Sequence, residues 1–326
     1  MTDRRTSAST QGKTWPFTSI ILLTWNQCQL TTDCLDSLAD LDYPKDRLQI
    51  IVCDNGSRDN TPAIIRERYP HVVMIENGDN VGFAAGNNSG VHHALQGSAD
   101  YIMLLNNDTV VAPDMLTRLI EAAERDPQIG IVTPKIYYFD EPQRIWCAGA
   151  AIDWRNGETR RLQAEEIDTG QSESNHGVGF ASGCAMCVRR SLVDQKGLLD
   201  ERFFIYYEET EWCVRLLSDG LGCLYVPGSK VWHKISSAMQ AGSPRSAYYM
   251  TRNRLLFLRK TQHGWRGLVA LSRALGREII YITVMTLRPR HRARRVERNT
   301  RAHGVLDFLR GRFGKMPESY VSTAKS

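Results

Sequence analysis

Residues 48 to 57 read L-Q-I-I-V-C-D-N-G-S, an uncharged and mainly apolar run followed at once by a carboxylate and a turn. Such a run predicts a strand buried on both faces. Asp54-Asn55-Gly56-Ser57 lets the chain reverse sharply and leaves Asp54 at the strand's end. The same order recurs on either side. Residues 17–24 (F-T-S-I-I-L-L-T) form a strand that leads to Asn26, and residues 72–75 form another, ahead of a loop rich in Gly and Asn. Residues 101–105 (Y-I-M-L-L) form a fourth strand, ending at Asn106-Asn107-Asp108. Between them, Leu30, Cys34, Leu35, Leu38 and Leu41 recur at helical spacing up to Tyr43-Pro44. Thr61–Tyr69 is a helix stopped by Pro70, and Gly90–Leu95 is helical. Strands alternating with helices imply an α/β fold built on a mainly parallel sheet flanked by helices. In such sheets the ligand sits beyond the carboxyl ends of the strands, and Asn26, Asp54, Asn80 and Asp108 all fall there.

Further along, residues 129–139, 146–154 and 177–188 read as strands, with a hairpin turn at Asn156-Gly157. The polar stretch 160–174 is expected to be a mobile loop. A helix over 209–218 and a short strand over 223–226 follow. After Pro244 the pattern is helical and amphipathic, with many arginines among the leucines.

The chain has 326 residues, 42% hydrophobic and 24% charged, which fits about two folded domains and excludes disordered, collagenous and disulfide-stapled classes. No run approaches the ~18–20 apolar residues of a spanning helix. The basic N-terminus has no apolar segment behind it, so it is not a secretory signal. A soluble, cytoplasmic chain is expected. The eight cysteines are irregularly spaced, which predicts buried reduced thiols. The C-x-x-C of Cys184 and Cys187 lacks the second pair that a zinc ribbon needs. The net charge of +5 hides an imbalance: from Arg245 onward there are 19 Lys and Arg against 4 Asp and Glu, leaving 22 against 32 elsewhere. A basic tail on an acidic body suggests an anionic partner, or a solvated helix.

Four segments carry candidate chemistry. In N-V-G-F-A-A-G-N-N, residues 80–88, small side chains permit close backbone approach, and the next helix offers free N–H groups to an anion. It lacks the endings of a P-loop or a dinucleotide fingerprint. Asp108, leaving an apolar strand, can hold a hard cation together with substrate phosphates, or simply cap a helix. In F-F-I-Y-Y-E-E-T-E-W-C-V-R, residues 203–215, Glu208, Glu209 and Glu211 crowd beside bulky apolar groups. At least one is expected to have a raised pKa, as a general base requires. Arg215 is spaced to pair with Glu211. His233, after another apolar run, is a structural imidazole or a metal ligand.

The order of S-I-I-L-L-T-W-N, V-C-D-N-G-S-R-D-N-T, N-V-G-F-A-A-G-N-N-S-G, L-L-N-N-D-T, the 203–215 segment and V-W-H-K resembles the inverting family-2 glycosyltransferases. It is most similar to their rhamnosyltransferase-like branch, over residues 17 to about 260, including Y-Y-M-T-R-N-R-L-L-F-L. The resemblance implies a GT-A fold, with residues 1–15 as a flexible tail and 16–125 as the nucleotide-sugar half. It makes 126–245 the acceptor and catalytic-base half, followed by a helical basic tail over 246–326. It implies that Thr24, Asn26 and Asp54 meet the nucleoside, and that Asn80, Gly82, Asn87 and Asn106 border the donor. Asp108 and His233 would hold a divalent metal, Mn2+ or Mg2+, and Glu209 would be the base, with Glu208 and Glu211 beside it. Three positions depart from the family pattern. Asn106 stands at the first D-x-D position, Glu209 replaces the commoner Asp, and K-I-S-S-A follows His233 in place of a glycine-rich segment.

The function expected from this resemblance is transfer of a sugar from dTDP-rhamnose or a UDP-sugar to a glycan or lipid-linked acceptor in surface polysaccharide synthesis. The alternative is a non-catalytic nucleotide-sugar-binding or scaffold protein. Arg288, Arg290, Arg292, Arg294, Arg295, Arg298 and Arg301 are expected to meet an anionic membrane, with Ile279–Leu287 in the interface. That would place the chain peripherally on the inner face of the cell membrane. Nucleic acid is not expected as a partner, because no aromatic residues interleave these arginines.

Overall fold

A computed structural model describes residues 14–235, 243–287 and 294–322. The first half runs β1 (Thr18–Thr24), α1 (Cys28–Ala39), β2 (Leu48–Asp54), α2 (Thr61–Arg68), β3 (Val73–Glu76), α3 (Gly82–Gln96) and β4 (Tyr101–Asn106). A short β5 (Thr109–Val111) and α4 (Met115–Glu124) follow. The expected strands stand within a residue or two of their predicted ends. Strands β3, β2, β1 and β4 are neighbours in parallel register. Their side chains divide between two apolar layers, Ile20, Leu22, Val52 and Met103 on one face and Ile21, Ile51, Cys53 and Leu104 on the other. That is why the strands read as continuous apolar runs.

Helix α3 begins eight residues earlier than its apolar periodicity suggests. Gly82, Gly86 and Gly90 recur one turn apart because there is no room for a side chain at these positions. A Cβ on Gly86 would lie 2.5 Å from Leu23, and one on Gly90 would lie 2.6 Å from Ile21. The helix thus lies close against β1 and β2, and its start is set by packing and not by propensity.

The second half runs β6 (Ile129–Tyr138), β7 (Ile145–Cys147), β8 (Ala150–Asp153), β9 (Glu158–Arg161), β10 (His176–Val178), β11 (Ala185–Arg189), α5 (Arg190–Lys196), α6 (Glu208–Leu216) and β12 (Gly222–His233). Two expected strands are each broken in two. Residues 146–154 divide at Gly149, whose φ of +84° and contact with Val178 exclude a side chain. Residues 177–188 divide between β10 and β11. The short strand expected over 223–226 is instead a twelve-residue β12 that ends at His233. Among the described residues the main sheet has ten strands, ordered β10-β12-β6-β11-β4-β1-β2-β3, with β5 on β12 and β7 on β6. Strand β11 runs antiparallel to β4 and β6, and β12 runs parallel to β6. Strands β8 and β9 form the expected hairpin, with Gly157 at φ +74°.

The stretch 160–174, expected to be mobile, is held down. Buried Lys135 donates to Asp168 at 2.8 Å and to Glu173 at 2.7 Å, and the Tyr137 hydroxyl also donates to Asp168. Burial works against the Asp168 carboxylate, but the bonds from Lys135 and Tyr137 outweigh it and hold its pKa at about 2.

The C-terminal layer is α7 (Pro244–Thr261), α8 (Gly264–Leu287), α9 (Arg295–Leu309) and α10 (Ser319–Ser322). The apolar side of α7 closes over Phe203 and Tyr207 with Leu255, Leu256 and Phe257. The expectations for residues 1–13 and 236–242, and for Arg288, Arg290 and Arg292, lie outside the described residues. Of the other arginines expected at a membrane, Arg301 pairs with Glu278 and Glu297, and Arg294 pairs with Glu297. Seven of the eight cysteines are buried, all eight as free thiols.

Candidate active site

Parallel register brings Thr24 opposite Asp54 and Leu23 opposite Asn106, so β1, β2 and β4 end together. Just beyond, Asn26 takes a left-handed turn (φ +54°). Its N–H donates to the Ser57 hydroxyl at 2.8 Å, and its side-chain oxygen accepts from the Arg58 N–H at 2.7 Å. Asp54 Oδ2 accepts from the Ser57 N–H at 2.8 Å, while its Oδ1 is buried without a partner. Thr24 Oγ1 lies 2.8 Å from Thr31 Oγ1. Asn107 ties this edge together by donating to Thr31 and Gln27, each at 2.9 Å.

Asn80 closes a turn by accepting from the Gly82 N–H at 3.1 Å. Gly82 is required there: its φ is +92°, and a Cβ would lie 2.6 Å from Phe204. Asn87 is buried and donates to the Phe83 carbonyl of its own helix at 2.9 Å. The Asn106 N–H donates to the Cys184 carbonyl at 2.8 Å, which fixes the start of β11 beside the end of β4.

Asp108 and His233 meet although 125 residues separate them. Strand β5 pairs antiparallel with the end of β12, placing Thr109 opposite His233. His233 Nε2 then lies 3.0 Å from Asp108 Oδ1, with both residues buried. The ring of Trp146 meets the imidazole edge-on at 4.7 Å between centroids, and the Arg161 guanidinium lies 4.4 Å above Trp146. His233 Nδ1 is buried without a hydrogen-bond partner.

Glu208 and Glu209 begin α6, and one oxygen of each, Oε2, is buried without a partner. Burial raises the pKa of both. The neighbouring Glu209 charge raises Glu208 further, so the two carboxyls resist ionising together. Glu211 is in a different situation. It accepts two bonds from Arg215 at 3.0 Å each, as its spacing predicts, and it also pairs with Lys260 at 2.8 Å.

The segment that leads into α6 is contorted, with φ values of +67°, +69° and +73° at Phe204, Tyr206 and Tyr207. Such conformations are costly for large side chains and persist only where the surroundings impose them. Here α7 imposes them. Asn253 Nδ2 lies 2.8 Å from each of the carbonyls of Phe203, Ile205 and Tyr206. Arg252, fully buried, donates to the carbonyls of Phe203 and Arg202. On the other side, the Phe83 N–H at the start of α3 donates to the Phe204 carbonyl at 2.6 Å. The 80–88 loop and the acidic helix therefore share one anchor.

One backbone segment runs from the acidic pair to the Asp108 turn: the Cys184 carbonyl accepts from the Asn106 N–H, two residues before Asp108, and Gly183 precedes it. Gly183 sits against Glu209, since a Cβ there would lie 3.4 Å from Glu209 Cγ. Sequence reasoning missed Trp146, Arg161, Arg252 and Asn253. The readable signal for the last two is a polar R-N-R triplet inside an otherwise apolar helix, where unbonded polar groups are costly.

Asp108 presents a carboxylate, a donor suited to Mn2+ or Mg2+, and His233 an imidazole, which suits Mn2+ better than Mg2+. Among the described residues no group of three or more His, Cys, Asp or Glu could hold a metal. The pair fits a cation that takes its remaining ligands from a diphosphate and water. A cavity of about 540 Å³ lies elsewhere, at the opposite ends of the strands, lined by Trp15, Asp100 and Tyr101 among others. Its charges pair with one another, Arg189 with Glu124 and Arg190 with Asp194.

The profile of the family described as Glycosyl transferase family 2 matches residues 19–196. The chain belongs to that family. The matched residues hold the strand ends and Asp108, while Glu209 and His233 lie beyond them. The chain is 29% identical over 252 residues to an N-acetylglucosaminyl-diphospho-decaprenol L-rhamnosyltransferase of Mycobacterium tuberculosis, covering 70% of this chain and 80% of that one. It is 25% identical over 243 residues to the dTDP-rhamnosyl transferase RfbF of Shigella flexneri, covering 65% and 79%. A mannosyltransferase from Pyrobaculum calidifontis, solved with GDP-Man and Mn2+, has the same fold at a TM-score of 0.56 and 14% identity, covering 91% of this chain and 88% of that one. The fold is the GT-A type expected from the sequence.

Proposed function

We propose that this family-2 member is an inverting, metal-dependent glycosyltransferase of surface polysaccharide synthesis. It moves a sugar from dTDP-rhamnose or a UDP-sugar to a hydroxyl of a glycan or lipid-linked acceptor. The observation that carries the reading is buried Glu208 beside half-buried Glu209, each with an unpartnered oxygen, with Gly183 against Glu209 and its neighbour Cys184 bonded to Asn106, two residues before the Asp108 that meets His233. The rhamnosyltransferase names of the two relatives support the choice of donor.

In this reading Thr24, Asn26 and Asp54 bind the nucleoside, where Asp54 Oδ1 offers a free acceptor. Asn80, Gly82, Asn87 and Asn106 shape the donor's border, most of them through the backbone turns described above. Asp108 and His233 hold a divalent cation beside the diphosphate; when bound, it supplies Lewis-acid stabilisation of the leaving group's charge. Arg161, leaning on Trp146, adds a positive charge near the same place. Glu209 accepts the proton of the acceptor hydroxyl as that oxygen bonds to the anomeric carbon. The carbon–oxygen bond to the diphosphate breaks on the opposite face, and its electron pair leaves with the diphosphate. The raised pKa of Glu209 makes it a stronger base than a solvent-exposed glutamate. Burial keeps that pKa raised, and Glu211 with Arg215 and Lys260 holds the helix. We further propose that the enzyme works at the cytoplasmic face of an anionic membrane through its basic C-terminal region.

The test is turnover of dTDP-rhamnose and UDP-sugars with and without Mn2+, using a polyprenyl-diphosphate-linked sugar as acceptor, with product configuration read by NMR. Inverted product formed only with metal supports the reading. Tight donor binding without turnover on any acceptor would instead identify a nucleotide-sugar-binding scaffold.

A further inference from the structure

Helix α8 is apolar on two opposite sides. Its inner side, Gly267, Ala270, Ala274, Glu278 and Met285, is buried in the helical layer with α7 and α9. Its outer side carries Trp265, Leu268, Val269, Ile279, Ile280 and Leu287, all exposed, with Leu287 at 74%, Trp265 at 72%, Leu268 at 67% and Ile280 at 65%. At 3.6 residues per turn these positions fall on one side of the 24-residue helix, which is about 36 Å long, in a group at each end with Ser272 and Gly276 between them. Two exposed apolar groups on one stripe mark a binding surface and not chance exposure.

The charges beside the stripe identify what covers it. Arg266, Arg273 and Arg277 line one flank of the stripe, and all three are exposed. The only carboxylate on α8, Glu278, is turned inward and bonded to Arg254 and Arg301. Among the described residues neither Arg266 nor Arg273 pairs with a carboxylate, while Arg277 shares Glu158 with Arg254. A second copy seated on the same face would bring arginine against arginine with no exposed carboxylate on the helix to offset them. An anionic lipid surface satisfies both features, taking the apolar stripe into its acyl boundary and the arginines among its headgroups. No described helix is long and apolar enough to cross a membrane, so α8 lies in the surface and does not span it.

We infer that the outer face of α8 is a docking surface for an anionic lipid bilayer. The contact is thus an ordered amphipathic helix, which Arg301 of α9 and Arg254 of α7 fix through Glu278. The hairpin β8–β9 joins this helix to the site: Glu158 at one end of β9 bonds Arg277 and Arg254, and Arg161 at the other end covers Trp146 beside His233. A lipid-linked diphosphate held at the bilayer is then one short strand from the Asp108–His233 pair. The inference rests on the proposed lipid-linked acceptor for its purpose, though not for its geometry.

The test is co-sedimentation of the full chain with phosphatidylglycerol–phosphatidylcholine vesicles, without donor or acceptor, against vesicles of phosphatidylcholine alone. Salt-sensitive binding to the anionic vesicles is expected. The double variant Leu268→Ser/Ile280→Ser is expected to lower partitioning at least ~10-fold. Its Tm should stay unchanged, because neither side chain is buried in the fold. Arg266→Gln/Arg273→Gln is expected to lower partitioning by roughly 30-fold at low salt. As an independent readout, brominated lipids are expected to quench tryptophan fluorescence in the wild type and much less in Trp265→Phe. Undiminished binding by the serine variant overturns the inference. So does a serine variant that changes only from dimer to monomer in sedimentation velocity, which would make the face a contact between copies. A chain that binds vesicles but turns over no donor would remove the enzymatic reading and leave this surface standing.

Discussion

At the ends of β1 and β2 the chain arranges its own site residues: Asp54 is fixed by the Ser57 N–H three residues on, and Asn26 by Ser57 and Arg58 across one strand pairing. The segment before α6 does nothing of the kind. Its three left-handed residues are held by Asn253 and Arg252, almost fifty residues away, and by the first turn of α3. The first arrangement follows from one strand pairing and the turn after it, and tolerates loss of a single bond. The second stores backbone strain that only tertiary contacts offset. On the proposed reading, donor recognition falls to the self-organised half and proton removal to the imposed half.

That difference ranks the expected effects. Glu209→Gln keeps the shape of the side chain and removes its basicity, so kcat should fall ~10²–10⁴-fold. The thermal shift on adding donor should stay nearly unchanged. Turnover at the wild-type rate would place the base elsewhere and overturn the roles assigned to the two halves.

Next in size is Asn253→Ala. It takes a donor from three carbonyls at once, although that of Phe203 keeps Arg252 and the Ile205 N–H, and each buried group left unsatisfied costs about 1–3 kcal/mol. A stability loss of about 2–4 kcal/mol is expected in urea unfolding, because the carbonyls relax partly towards water. The sharper readout is kinetic. With Glu209 no longer held, kcat should drop while donor KM stays near the wild-type value. A change in KM alone would mean that Asn253 supports the 80–88 loop and not the acidic helix.

Glu208→Gln probes the shared burial. Burial raises the folded pKa of both carboxyls above that of the unfolded chain. In the window between the two values the folded protein holds the extra protons. The stability gained this way is complete below the unfolded value, ~4.3, and is lost as pH climbs through the folded values. Replacing Glu208 removes one such acid, so the variant's Tm should gain on the wild type as pH rises from 4 to 8. Glu208 is raised by the Glu209 charge and not the reverse, so it is still neutral as Glu209 ionises, and the acid limb of kcat should stay in place. A limb that moves to lower pH would show that Glu208 ionises first.

The same contrast explains what was legible in the sequence. Strand ends were readable because each is an apolar run followed by its own turn, and Glu208 and Glu209 stood out as acids among large apolar residues. The start of α3 was not, because Gly82, Gly86 and Gly90 are chosen by contact with Phe204, Leu23 and Ile21 and not by helical preference. Nor was the meeting of Asp108 with His233, which depends on β5 pairing with the far end of a strand that sequence cut short. Resemblance to the family placed them together; periodicity alone did not. Arg161 escaped notice because a hairpin is recognised from Asn156-Gly157, but what the hairpin covers is decided by Trp146.

Ser57→Ala should have the smallest effect, and for that reason it tests the comparison most directly. The hydroxyl accepts one bond, from the Asn26 N–H, at a position partly open to water, so its loss is worth about 0.5–1.5 kcal/mol at most. The Ser57 N–H still reaches Asp54, and Asn26 still accepts from Arg58, so the turn keeps two of its three ties. Donor KM should rise only a few-fold, kcat should hold, and the pH profile should not move, since no titrating group changes its burial. A collapse of kcat in this variant, as large as that expected for Asn253→Ala, would mean that the strand-end turns and the acidic helix are one cooperative unit. The shared anchor at Phe204, where the α3 N–H groups meet the contorted loop, is the route by which such coupling would pass.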